Sequence, residues 1–135
     1  MGQQRPCSES GGQYDEAIQA LERAIERDPK NAEVWSIKGN TLLVQGKYDE
    51  AIKALDRVIE LDPNHADAWF SKGFALGKKS EYDESIQALE KSTELKPQFA
   101  KAWYNKAVIL QYLNRNAEAE SAFAKAKELG YTGPN

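Results

Sequence analysis

The 135-residue sequence holds one histidine, His65, and one cysteine, Cys7. Neither has a second copy, so no intrachain disulfide and no four-ligand zinc site can be built from them. Acid–base or nucleophilic catalysis needs a positioned group with an orienting partner. His65 follows Pro63 in a turn signature and reads as a solvated turn residue; Cys7 lies near the N-terminus, far from any other candidate group. Carboxylates such as Asp49, Glu50 and Glu60 recur at a regular step and read as solvated helix faces, and Gly39, Gly46 and Gly73 stand singly rather than in a phosphate loop. No enzyme, cofactor or metal is expected. Two other residue classes could do binding chemistry. The aromatics Phe70, Phe74 and Tyr104 could hold an apolar partner, or stack on nucleic-acid bases. Lys38, Lys72 and Lys106, each 34 residues from the next, could form an anion-binding stripe.

That step of 34 governs the whole chain. It separates Trp35, Trp69 and Trp103, then Tyr14, Tyr48 and Tyr82, then Pro29, Pro63 and Pro97. A fixed period in this range marks one small unit stacked repeatedly. Three full repeats follow, 32–65, 66–99 and 100–135, the last including the C-terminal end. They are preceded by a half repeat at 13–31 and a leader at 1–12, read as flexible or as an expression remnant.

Each repeat predicts two helices. In YDEAIKALDRVIELDP, Tyr48, Ala51, Leu55 and Val58 fall three or four apart and share one face, the apolar stripe of an amphipathic helix. A shorter helix around Trp35 precedes it across a polar break, and Pro63 punctuates the exit because proline cannot continue a helix. Small residues recur where the two helices must approach: Gly39, Gly73 and Ala107 on the first, Ala51, Ser85 and Ala119 on the second. Glycine inside a helix costs about 1 kcal/mol relative to alanine, so its recurrence implies a packing reason. The bulky series Leu21, Leu55, Leu89 and Phe123 fills the space between.

The period, the early Trp, the small residue four later, and the Tyr-Asp-Glu-Ala run with its closing Pro together resemble the tetratricopeptide repeat family, from Gln13 to about Leu129. The resemblance implies an all-α fold: a right-handed α-solenoid of antiparallel helix pairs, with a concave face lined mainly by the first helix of each repeat. It also implies a peptide-binding groove. The first repeat would supply Ser36, Asn40, Leu43 and Val44. The second would supply Phe70, Phe74 and Lys78, and the third Tyr104, Val108, Gln111 and Tyr112. Family members that clamp chaperone-tail carboxylates carry Lys, Asn and Arg at such places. Here only Asn40 fits, so a carboxylate clamp is not expected.

The family usually has Leu three residues after the Trp, where this chain has its lysines. Each lysine stem should run along apolar surface with its ammonium meeting a carboxylate, Glu50, Glu84 and Glu118 recurring at the same step. The ends depart as well. The half repeat lacks a first helix and no capping helix follows the last repeat. The chain therefore reads as a piece of a longer array, with Ile18, Leu21 and Ile25 short of a neighbour and available for self-association.

Bulk properties narrow the partners. Net charge is −3, which removes the basic footprint of nucleic-acid binding. Mean hydropathy is −0.70, and no apolar run approaches the roughly 20 residues that cross a bilayer. With no signal-peptide layout, a cytoplasmic location is expected. The expected function is a protein–protein interaction scaffold that takes an apolar or amphipathic peptide in its groove. The alternative is a homo-oligomerising module that associates through uncapped ends or by helix exchange.

Overall fold

The computed structural model describes residues 6–131, and side chains from residue 12. Among these residues there are seven helices and no strand: α1 (Pro6–Arg27), α2 (Ala32–Val44), α3 (Tyr48–Leu61), α4 (Ala66–Lys78), α5 (Tyr82–Leu95), α6 (Ala100–Tyr112) and α7 (Asn116–Glu128). The chain divides into two compact units, Met1–Asp62 with α1 to α3 and Pro63–Asn135 with α4 to α7. The division falls in the turn before the second tryptophan.

α1 runs 22 residues from Pro6, so the helix takes in part of the segment expected to be a flexible leader; residues 1–5 lie outside the described residues. In the first unit α2 packs on both α1 and α3. In the second, α4 packs on α5, α5 on α6, and α6 on α7. Three-residue turns such as Gln45–Lys47 join the members of each pair, and connections this short leave antiparallel neighbours.

The turns share one chemistry. Gly46, Ser80 and Asn114 all have positive φ, at 81°, 66° and 63°. At each, two backbone N–H groups return to the end of the preceding helix, as in Gly46 to Leu43 and Lys47 to Leu42. This is the Schellman closure of a helix C-terminus, which satisfies carbonyls that would otherwise lack partners. At the opposite ends, the Asn31 side chain accepts from the Glu33 N–H and His65 Nδ1 accepts from the Ala68 N–H, each at 3.1 Å. His65 is thus an N-cap as well as a turn residue.

Packing explains the recurring glycines. A Cβ on Gly39 would stand 2.9 Å from Leu55 Cγ and Cδ2, and one on Gly73 2.8 Å from Leu89 Cγ. Leu55 and Leu89 are fully buried, so neither can swing aside. The serines that α5 places in the small-residue series are buried and satisfied. Ser85 Oγ donates to the Gly73 carbonyl at 2.7 Å and Ser92 Oγ to the Ala66 carbonyl at 3.0 Å.

Candidate interaction surface

The helix register decides which expected groove residues meet. In the second unit, Phe74 and Lys78 sit one turn apart on α4, and Val108 and Tyr112 one turn apart on α6. All four line a single cavity of about 250 Å³. Its floor is Ser85 and Leu89 of α5, both fully buried. Tyr82, at the start of α5, stacks on Tyr112 with ring centroids 5.3 Å apart and planes 7° from parallel. Tyr112 is nevertheless 64% exposed, which places an open aromatic face at the rim.

The remaining expected residues of this unit turn elsewhere. Phe70 packs on Phe99 at 4.9 Å and against the core formed by Leu89, Ala107 and Leu110. Tyr104 meets Phe123 and Tyr131 edge-on at 5.4 and 5.1 Å. Gln111 is exposed and does not line the cavity. Among the cavity residues not expected there are Tyr82 and Asn105. Tyr82 belongs to the repeating tyrosine series and is indistinguishable by type from its packing equivalents. Asn105, two residues after the Trp, is signalled only by being polar on an otherwise apolar helix face.

In the first unit, Ser36, Asn40, Leu43 and Val44 follow one side of α2, and Val44 is 64% exposed. Ile18, Leu21 and Ile25 are half-buried on α1, and Ile18 shares a depression with Trp35, Lys38 and Leu42 of α2. A different face of α1 lies open. Ala17 and Ala20 are exposed and Leu21 and Ala24 half-buried, whereas the equivalent Ala51, Ala54, Leu55 and Val58 of α3 are at most 3% exposed.

Lys38 and Lys106 of the lysine series are ion-paired, but not with the expected carboxylates. Lys38 pairs with Glu22 at 3.4 Å and Lys106 with Glu90 at 3.6 Å, both on the helix before the lysine rather than after it. Helical side chains lean toward the N-terminus of their own helix, which carries Lys38 and Lys106 to the preceding element. Glu118 pairs with Arg115 instead. Each lysine ammonium also lies 5.2–5.6 Å from the ring of the Trp three residues earlier.

Sequence models described as tetratricopeptide repeat match residues 10–71, and again 66–99 and 100–129. The chain belongs to the tetratricopeptide repeat family. Its all-α architecture of tetratricopeptide-type helix pairs is therefore shown by sequence and structure together. Among solved structures it is similar to a crystal structure of MamA at 26% identity and a TM-score of 0.85, covering 90% of this chain and 71% of that one. MamA MSR-1 is 31% identical with a TM-score of 0.77, covering 88% of this chain and 68% of that one. MamA from Desulfovibrio magneticus RS-1, at 24% identity and a TM-score of 0.81 over 87% of this chain and 67% of that one, shows likeness of fold alone. No curated protein matches the sequence. Repeats of this family support a protein-interaction scaffold role. No helix among the described residues is long and apolar enough to cross a membrane.

Proposed function

We propose that this tetratricopeptide repeat chain is a binding module, not an enzyme, that takes an apolar or amphipathic segment of another protein. The observation that carries this reading is the cavity between α4 and α6, where Phe74, Val108 and the exposed face of Tyr112 converge. Burying a large apolar side chain gains about 1.5–3 kcal/mol, against an association cost of about 4–15 kcal/mol. Three such contacts support an exchangeable, micromolar or weaker interaction.

The test uses synthetic amphipathic peptides beside polar scrambles of the same length, titrated against wild type and a Phe74→Ser/Tyr112→Ser double variant. Selective binding of the amphipathic set, weakened at least about tenfold in the variant at unchanged helicity, fits removal of two buried contacts. Equal affinity of both proteins overturns it. Phe70 is a poor probe, since its ring belongs to the core around Phe99.

A second reading, self-association, is favoured by the open face of α1. The small residues Ala17, Ala20 and Ala24 would let the α1 helices of two copies approach closely about a twofold axis, with Leu21 central. Sedimentation mass should then rise with concentration and stay monomeric in an Ala20→Glu/Ala24→Glu variant. A wild-type mass that is monomeric at every concentration refutes this reading.

A further inference from the structure

We infer that the cavity between α4 and α6 is a socket for one large apolar side chain flanked by a carboxylate, so that the segment bound is an acidic–apolar peptide rather than a neutral or basic one. This rests on the peptide-binding reading and adds its chemistry.

Size comes first. At about 250 Å³ the cavity falls below the roughly 300–1,000 Å³ of sites that enclose a whole small ligand, and suits a single anchoring side chain. Gly77 forms part of its wall and lets Ile109 of α6 approach α4 closely. A Cβ there would stand 2.9 Å from Ile109 Cδ1 and 3.4 Å from Ser85 Oγ, both of which also line the cavity. The equivalent positions of the neighbouring repeats hold Leu43 and Gln111, so the socket is particular to this place in the chain.

Charge comes second. Ser85 Oγ is committed to the Gly73 carbonyl and Asn105 Nδ2 to the Lys101 carbonyl. Among the described residues, none that lines the cavity is acidic and Lys78 is its one cation. Lys38 and Lys106 each have a carboxylate within 4 Å, as does the adjacent Lys79 through Glu81 at 3.4 Å. Lys78 has none among the described residues. Its ammonium lies 5.3 Å from the centroid of Phe74, at the rim where an incoming backbone would pass. A cation without a carboxylate, on an apolar socket of a chain whose net charge is −3, is complementary to an acidic residue beside the anchor.

The experiment titrates wild type with three 12-residue peptides carrying one central Trp flanked by Glu, Gln or Lys, followed by amide chemical shifts. The expected order is Glu, then Gln, then Lys, with Glu over Gln by about two- to fivefold at low salt, the range of an exposed ion pair. Lys78→Gln should erase the preference and Lys78→Glu should reverse it; both change an exposed side chain and leave the fold intact. Gly77→Leu should abolish binding of all three. If the Glu and Gln peptides bind wild type equally, the acidic selectivity is overturned while the peptide-binding reading stands. If none of the three binds, both fall.

Discussion

The indole N–H of Trp69 donates to the carbonyl of Pro63 at 2.9 Å. Trp35 makes the same bond to Pro29 at 2.8 Å, and Trp103 to Pro97 at 2.9 Å. The two most conspicuous series of the period are thus one device. Proline ends a helix, and the next helix returns its tryptophan to hold the proline carbonyl, which fixes the angle at which the chain re-enters.

Replacing Trp103 with Phe keeps an aromatic ring and removes the donor. A hydrogen bond of this kind contributes about 0.5–1.5 kcal/mol net, and the smaller ring also gives up part of its apolar contact. The expected loss is about 1–3 kcal/mol, read from the urea midpoint at constant m-value. A change under about 0.5 kcal/mol would mean that water replaces the indole without penalty.

Ser80 and Asn114 hold the left-handed conformation that Gly46 supplies in the first turn. An L-residue there costs roughly 1–2 kcal/mol, less for Asn, whose side chain tolerates the region. Ser80→Gly should therefore stabilise the chain by up to about 1 kcal/mol, after the extra freedom glycine gives the unfolded state. Asn114→Gly should do less. Thermal midpoints of the two single variants decide the order, and a destabilised Ser80→Gly would refute the strain.

Much of this fold was legible because repetition multiplies weak signals. The pairing of Gly39 with Leu55 and of Gly73 with Leu89 follows from small and large residues recurring in register. The groove was less legible, because its occupants depend on residues that break the repeat. Phe99 stands where Asn31 and His65 cap their helices; it makes no side-chain cap and instead draws Phe70 onto its ring. Tyr131, beyond α7, helps to hold Tyr104 against Phe123. Gly77, which forms part of the socket wall, has no side chain to signal a contact in the sequence.

The register of small and large residues also predicts opposite substitutions with the same sign. Gly73→Ala gains about 1 kcal/mol of helix propensity but drives a methyl to within 2.8 Å of the buried Leu89, and overpacking costs about 1–3 kcal/mol. A net loss of up to about 2 kcal/mol is expected. Ala107→Gly, at the equivalent position beside the core that Phe123 joins, gives up about 1 kcal/mol of propensity and opens a gap. Both variants should melt below wild type; a Gly73→Ala protein melting above it would show that Leu89 can move.

Stability at the start of α7 should depend on pH. Arg115 donates from its Nε to Glu118, three residues on in the first turn of α7, and this bond holds the Glu118 carboxyl below its ordinary value. The same contact raises Arg115, which stays charged throughout. A depressed carboxylate contributes stability that is present above its unfolded pKa, near 4.3, and lost as pH falls through the lower folded value. Wild type should therefore exceed Glu118→Gln in thermal midpoint at neutral pH, and the gap should close in acid. Both side chains are solvent-exposed, so the gap is small and should also shrink with added salt. A difference that persists below the carboxylate range would have to come from the shape of the side chain at the start of α7, not from its charge.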